Sequence, residues 1–334
     1  MSLLSVRNLR IYYSSSRGIV RAVDGVTFDI EREETLGIVG ESGCGKSTLA
    51  MGLLDILPPS ANISGEIILD GENILEKEKE YLRKIRHEKV ALIFQDPMTR
   101  LDPLMKIKDH FLETFRSHKR DVKEEEALRI AGNLMNSVGL SPEVLDYYPH
   151  ELSGGMRQRA MIALALVFNP QLLIADEPTT SLDVIVEAQI LQLMNKIKKE
   201  FHMSIILITH NLGIVAEMAD RVAVMYAGKI VEIGSLANIF TRPLHPYTRG
   251  LLGSVITLES RELVTMPGEP PDLINPPKGC RFAPRCPYAI EMCMNSEPSL
   301  QEAVKGHSVA CFRALELMEE RDILYRGDIA EKAD

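Results

Sequence analysis

Gly40-Glu41-Ser42-Gly43-Cys44-Gly45-Lys46-Ser47-Thr48 follows the apolar run Thr35-Leu36-Gly37-Ile38-Val39 and opens onto a helical pattern, Leu49-Ala50-Met51-Gly52-Leu53-Leu54. This is a phosphate loop between a strand and a helix. Glycines at its first, fourth and sixth positions let the backbone curl with its N–H groups inward, and the helix N-terminus behind them adds positive dipole, so the main chain alone can hold a polyphosphate. Lys46 adds a mobile positive charge for the terminal phosphates, and Ser47 a hydroxyl where a Mg²⁺ bridging two phosphates takes an oxygen ligand. A glycine-rich turn ahead of a buried helix would need only part of this motif, which is complete. The chain is therefore expected to bind a nucleoside triphosphate.

Upstream of the loop, Val6 to Tyr13 and Val23 to Ile30 alternate in the manner of strands and read as antiparallel β elements. Tyr13 ends its strand beside the loop Ser14-Ser15-Ser16-Arg17-Gly18, where it serves either as a stacking face for a purine or as a half-buried strand aromatic. Downstream, Gly65 to Gly71 is a strand bounded by turns, and Glu76 to His87 a charged helix. Val90-Ala91-Leu92-Ile93-Phe94 is a continuous apolar run, as buried parallel strands are, and ends at Gln95. An amide at the carboxyl end of such a strand can ligate Mg²⁺ or hold a water, and Asp96-Pro97 breaks the strand there.

From Leu104 to Leu145 the apolar period is helical, closed by Gly139, which marks an inserted helical subdomain at about residues 96–160. Ser153 then reads as the N-cap of a helix Met156 to Phe168, with Gly154 and Gly155 baring its first N–H groups as a second anion site. Leu172 to Pro178 is an apolar strand ending in the acid pair Asp176-Glu177. Because side chains alternate along a strand, the two differ in role: Asp176 can reach Mg²⁺ directly or through water, while Glu177 faces the γ-phosphate and can polarise an attacking water. Ser181-Leu182-Asp183 leads into a helix Val184 to Phe201. The buried strand Ser204 to Thr209 ends at His210, placed to contact the γ-phosphate or to orient Glu177. Arg221 to Met225 and Lys229 to Ile233 form a hairpin around Ala227-Gly228, and Pro267 to Lys278 reads as a stiff linker.

The 334 residues suffice for about two domains, and 45% hydrophobic with 25% charged residues is ordinary globular usage. A net charge of −9 without a long basic run argues against nucleic acid as main partner. The residues Met1 to Arg7 lack the pattern of a secretory leader, and no stretch approaches the ~18 apolar residues of a membrane span, so the chain is expected to be cytoplasmic.

The order of phosphate loop, Gln95, Leu152-Ser153-Gly154-Gly155, Asp176-Glu177-Pro178, Ser181-Leu182-Asp183 and His210 resembles that of the ATP-binding-cassette (ABC) ATPases over about residues 3–240. Gln95-Asp96-Pro97-Met98-Thr99, Tyr148 to Arg159, and His245-Pro246-Tyr247-Thr248 look more narrowly like the ATPase subunits of bacterial dipeptide and oligopeptide importers, including their cysteine-bearing extension. The resemblance implies an α/β P-loop NTPase fold: a RecA-like parallel sheet core, an antiparallel β subdomain, the helical insertion and a C-terminal extension. It implies a nucleotide-binding domain over residues 1–257 and the extension over 258–334. It also implies roles: Tyr13 stacking on adenine, Lys46 and Ser47 on phosphate and Mg²⁺, Gln95 sensing Mg²⁺ and the membrane partner, Glu177 as general base and His210 as switch histidine. Cys44 and Ser181 stand where related chains often carry Ser and Ala. In this family the Ser-Gly-Gly turn of one subunit closes over the nucleotide of another, so the implied partners are a second ATPase, identical or related, two permease subunits and an extracytoplasmic peptide-binding protein acting through them. The implied location is the cytoplasmic face of the membrane, with residues 100–118 among the permease contacts. An importer of nickel or another solute and an ABC ATPase working away from membranes are the alternatives.

Cys280, Cys286, Cys293 and Cys311 are separated by five, six and seventeen residues and lack the paired C-x-x-C knuckles of structural zinc. They supply the four thiolates that a 4Fe-4S cluster takes, with Lys278, Arg281, Arg285 and Arg313 nearby to offset its charge. The resemblance points the same way. Zn²⁺, with His307 replacing one cysteine, and unligated buried thiols remain the alternatives.

Overall fold

The computed structural model describes residues 2–95, 100–118, 121–254 and 266–319. The chain divides into two compact units, one of residues 31–35 and 76–208, the other of residues 2–30, 36–75 and 209 onward. Asp96 to Thr99, and the parts of the extension at 258–265 and 320–334, lie outside the described residues.

Residues 2–75 form β1 (Leu4–Ser15), β2 (Gly18–Ile30), β3 (Thr35–Val39), α1 (Lys46–Leu53), β4 (Ala61–Leu69) and β5 (Glu72–Asn73). Residues 76–209 form α2 (Lys79–Glu88), β6 (Val90–Ile93), α3 (Ile107–His118), α4 (Glu124–Ser137), α5 (Gly154–Ala165), β7 (Leu172–Asp176), α6 (Val184–Phe201) and β8 (Ser204–Thr209). Beyond them come α7 (Leu212–Met218), β9 (Arg221–Tyr226), β10 (Lys229–Ser235), α8 (Leu236–Thr241) and α9 (Pro246–Gly253). The extension adds α10 (Glu291–Asn295), β11 (Gln301–Val304), β12 (His307–Val309) and α11 (Ala314–Glu319).

In the unit that carries the phosphate loop, β2-β1-β4-β5 is an antiparallel sheet, and Val6, Leu9 and Ile11 of β1 are buried while Asn8 and Arg10 are not or only partly so. That alternation is what a sheet with one covered face requires. The same unit pairs β3 with β9 in parallel, then β10, β12 and β11 antiparallel in turn. The β9–β10 turn has positive φ at both Ala227 and Gly228, the two-residue geometry that matches strand twist.

In the other unit β6, β7 and β8 are parallel, and every residue of β7 and β8 is buried, as the unbroken apolar runs foretold. The helical insertion buries one face of each helix: Ile107, Phe111, Leu112 and Phe115 on α3, and Ala127, Ala131, Leu134 and Met135 on α4. Gly139, at φ 76°, ends α4 with the left-handed residue that lets the chain turn away.

Three expectations need adjustment. The charged helix begins at Lys79 and loses helical geometry at Arg86 and His87. The helix expected at Met156 starts at Gly154, because Ser153 itself accepts the cap bond from the Met156 N–H. The Pro-rich stretch has no regular structure, yet it is no free spacer: the Leu273 carbonyl accepts from the Arg21 N–H on the edge strand β2. Leu273 and Met266 pack on the core that holds Tyr226, Tyr247 and Phe282. An extended proline-rich backbone keeps its carbonyls available, so it can satisfy a sheet edge.

The extension shares that core as well. Phe282 packs edge-on against Tyr226 at 5.2 Å and Tyr247 at 5.5 Å, and β12 adds to β10 through the pairs Glu232–Val309 and Ile233–Ser308. Among the described residues no helix is long and apolar enough to cross a membrane.

Candidate active site

The phosphate loop leaves β3, whose five residues are all buried, and enters α1 with Gly45 as N-cap at φ 106°. No side chain caps this helix and its first turn has no acid, so its leading N–H groups stay open to an anion. A Cβ at Gly45 would overlap the carbonyl oxygen of Ala22, and one at Gly40 that of Met225, whereas Gly43 is open. Glycine is thus imposed on both ends of the loop by backbone packed against it. Lys46 is buried, and its Nζ donates to the carbonyls of Gly40 at 2.6 Å and Glu41 at 3.1 Å. Those bonds park the ammonium across the loop mouth, where a terminal phosphate can take it over. Ser42 and Ser47 are exposed, and Tyr13 Oη donates to Thr48 Oγ1 at 3.4 Å, which sets the Tyr13 ring beside the start of α1. Cys44 is buried, and that burial pushes its thiol pKa up, making it an inert packing group.

In the other unit β7 ends at Asp176, and Glu177 follows it outside the strand, so strand alternation does not decide how the two acids are directed. Asp176 is 7% exposed, whereas Glu177 is half-buried. Glu177 has φ 47°, an uncommon conformation for a non-glycine residue, held by its N–H on the Ile208 carbonyl at 2.8 Å. Its Oε2 accepts from Gln95 Nε2 at 3.0 Å and from Thr180 Oγ1 at 3.0 Å. The two donors to one oxygen give the carboxyl group a fixed direction. Gln95, at the carboxyl end of β6, is brought to Glu177 although 82 residues separate them. Thr180 was not singled out from sequence; a hydroxyl three residues after an acid at a strand end is the signal for it.

Ser153 Oγ accepts from the Met156 N–H at 3.3 Å, and Gly154 and Gly155 form the first turn of α5. A side chain on Gly155 would meet Val186 Cγ1 at 2.6 Å, so packing against α6 dictates that glycine. Asp183 caps α6 by accepting from the Ile185 and Val186 N–H groups, while Val184 and Ile185 are 81% and 72% exposed. His210 is exposed after β8, just before Asn211, which caps α7.

The four cysteines of the extension are free thiols lining one small apolar cavity with Phe282, Tyr288 and His245. Burial raises the thiol pKa of Cys280, and those of Cys286 and Cys311 to about 11 each. Backbone N–H groups oppose this, from Phe282 and Ala283 towards Cys280, Tyr288 towards Cys286 and Arg313 towards Cys311. Among the described residues, however, no group of three or more His, Cys, Asp or Glu is arranged to hold a metal ion. The expectation of a metal centre thus meets a shared thiol wall with no ready-made ion site. His307 is not among the residues lining that cavity; its Nε2 lies 2.7 Å from Oε1 of the buried Glu232. Two of the arginines expected to offset a cluster's charge are committed elsewhere: Arg281 to Asp24 and the Ala227 carbonyl, Arg285 to Glu41.

The motif His245-Pro246-Tyr247-Thr248 acquires a role that sequence alone did not assign. His245 Nδ1 accepts from the Tyr247 N–H and so caps α9, and Tyr247 Oη accepts from the Glu41 N–H of the phosphate loop at 2.9 Å.

A family model described as ABC transporter matches residues 23–180, and one described as oligopeptide/dipeptide transporter, C-terminal region, matches residues 231–293. The chain is 46% identical over 320 residues to the oligopeptide transport ATP-binding protein OppD of Escherichia coli (strain K12), covering 94% of each. It is 46% identical over 316 residues to the dipeptide transport ATP-binding protein DppD of Bacillus subtilis (strain 168), covering 93% of this chain and 94% of that one. Among solved structures, the dimeric ATP-binding cassette MJ0796 in a post-hydrolysis state bound to ADP and Pi matches with a TM-score of 0.62 at 27% identity, over 70% of this chain and 98% of that one. A phosphate loop closed by packed backbone, an acid pair at the end of a buried strand, a Ser-Gly-Gly helix start and near-full-length likeness to these proteins lead to one conclusion: the chain belongs to the ABC transporter ATPases, among the ATP-binding proteins of oligopeptide and dipeptide transport.

Proposed function

We propose that the chain binds and hydrolyses ATP to energise import of dipeptides or oligopeptides through a membrane permease. The observation that carries the chemistry is Glu177, held in a left-handed conformation with Gln95 and Thr180 both donating to one carboxylate oxygen. A carboxylate so oriented, next to a buried Asp176, is suited to accept a proton from water while its neighbour serves Mg²⁺. The residues that would hold the nucleotide are Gly40 to Thr48 with Lys46 on the terminal phosphates, and Tyr13 for the base. Ser47, Gln95 and Asp176 would hold Mg²⁺, the charge that a triphosphate needs neutralised. Ser153, Gly154 and Gly155 act in trans on the nucleotide of a second ATPase subunit, His210 acts as switch, and both ATPases dock at the cytoplasmic face on two permease subunits fed by a peptide-binding protein. In the helical insertion a surface groove lined by Leu104, Met105, Asp109, Glu113 and Arg116 is suited to receive a permease helix, with Leu104 85% exposed. Residues 1–257 act as the nucleotide-binding domain and 258–334 as its extension.

Within that extension the four cysteines would hold a 4Fe-4S cluster, a structural or redox-sensing group whose ligand set is four thiolates with N–H groups aimed at the sulfurs. Support comes from the shared cavity and those N–H groups. Anaerobically purified protein should be brown and carry about four iron and four sulfide per chain by the Cys₄ stoichiometry. One zinc and no labile sulfide overturns the cluster.

The function itself is tested by uptake. Cells lacking the chain should lose accumulation of labelled di- and oligopeptides, and Glu177→Gln should fail to restore it. Loss of nickel uptake with peptide uptake intact would refute the assignment of solute.

A further inference from the structure

The second residue of the phosphate loop is a glutamate, which puts a negative charge beside a site for polyphosphate. In water-poor surroundings such a charge opposes the ligand and competes for Lys46. Arg285, from the extension, meets it. Its Nη1 donates to Glu41 Oε2 at 2.8 Å and its Nη2 to Oε1 at 3.1 Å, two parallel bonds. The same guanidinium donates through Nε to the Pro267 carbonyl at 2.9 Å and through Nη1 to Tyr226 Oη at 3.3 Å, and the Arg285 side chain is only 6% exposed. Every other bonding group of Glu41 is also engaged: its N–H by Tyr247 Oη, its carbonyl by Lys46 Nζ and the Cys44 N–H.

Arg285 closes a tight turn, Ala283–Arg285, whose ends are Cys280 and Cys286: Ala283 N–H bonds to the Cys280 carbonyl and Cys286 N–H to the Ala283 carbonyl. A second link leaves the same turn. Arg281 bonds to Asp24 and to the Ala227 carbonyl, the neighbouring Gly228 N–H bonds to the Cys44 carbonyl at 2.8 Å, and the Asp24 N–H returns to the Gly228 carbonyl at 2.8 Å. The cysteine-bearing turn therefore grips the phosphate loop at both Glu41 and Cys44.

The geometry points to Arg285 as a positioning residue for the phosphate loop, neutralising Glu41 and holding it away from the triphosphate, so that ATP affinity depends on the turn that carries Cys280 and Cys286. This rests on the reading of the loop as an ATP site and adds a determinant supplied by the extension. The expected signature is a change in affinity rather than in the chemical step, because Arg285 is placed on the loop's second residue and not on Glu177.

The test uses the full chain, with Kd for ATP from titration, KM and kcat from hydrolysis, and unfolding without nucleotide. Arg285→Gln leaves the Glu41 charge uncompensated and should raise Kd and KM about tenfold, the scale of a charge-assisted pair, with kcat within about twofold of the parent. Adding Glu41→Gln removes the stranded charge and should recover most of that loss. A merely structural arginine would lower the unfolding temperature equally in the single and double variants, with no recovery of affinity. Should Arg285→Gln not fold, Arg285→Lys, which keeps the charge but not the planar fork that meets both carboxylate oxygens, should still raise Kd about threefold. Parity of Kd with the parent in a folded Arg285 variant, or no recovery in the double variant, overturns the proposal. Failure of the parent chain to bind ATP at all would instead remove the reading of the site.

Discussion

Glu177→Gln separates binding from chemistry. The amide keeps nearly the same shape, and its one oxygen, placed where Oε2 stands, can still accept from both Thr180 Oγ1 and Gln95 Nε2, each now at 3.0 Å, so the strained turn at φ 47° loses little support. What it loses is the lone pair that takes a proton. General base catalysis contributes about 10²- to 10⁴-fold, or ~3–5 kcal/mol of barrier, so kcat for ATP should fall about a thousandfold. In the proposed site nucleotide binding falls to Lys46 and the N–H groups of the phosphate loop, so Kd should stay within about threefold of the parent. The assay is phosphate release at saturating Mg-ATP, paired with ATP titration and size-exclusion chromatography, where ATP should accumulate a dimer that no longer turns over. Steady-state hydrolysis above roughly a tenth of the parent rate, an effect far smaller than general base catalysis supplies, would refute the assignment of Glu177.

Three further outcomes follow from particular contacts. Gly45→Ala puts a Cβ against the Ala22 carbonyl at a φ of 106°, so ATP binding should weaken by at least tenfold, about 1.4 kcal/mol; titration that matches the parent would show that the loop can relax. Glu232→Gln leaves an NH₂ facing donors, because Leu244 N–H, His245 N–H and His307 Nε2 all meet that carboxylate at 2.7–2.9 Å; unfolding should cost about 3 kcal/mol less, measured by denaturant titration, and an unchanged midpoint refutes the account. Burial, with His118 nearby, holds the His87 pKa down to about 4 against 6.5, so the folded ring stays neutral while the unfolded one takes a proton as pH falls below 6.5. Stability should therefore drop between pH 6.5 and about 4 by on the order of 2 kcal/mol from this ring, allowing for its partial exposure, and His87→Phe should flatten that part of the profile.

Local patterns carried much of this molecule. The runs Thr35–Val39 and Ser204–Thr209 are strands with those bounds, because a fully buried parallel strand needs apolar residues on both faces and leaves no periodicity to misread; the run from Leu172, expected to reach Pro178, stops as a strand at Asp176, where Glu177 turns left-handed. The helix Val184–Phe201 likewise has its expected ends, set by the Asp183 cap and by His202 in the left-handed region. Where a boundary moved, a cap or a kink decided it: Ser153 draws Gly154 into α5, and Arg86 and His87 break helical geometry within the last turn of α2.

By itself the sequence determined the phosphate loop, the acid pair after a buried strand, the Ser-Gly-Gly helix start and the order of strands and helices, since each depends on residues within one turn or one strand of each other. Tertiary structure alone decided the partners that long loops bring together. Gln95 meets Glu177 across 82 residues and Arg285 meets Glu41 across 244, and no local pattern encodes such pairs because their cost and gain are settled by packing of the whole unit. It also decided that Arg281 and Arg285, which by proximity belong to the cysteines, pair with Asp24 and Glu41: a guanidinium at the end of a long side chain goes to the carboxylate it can reach, here two partly buried ones.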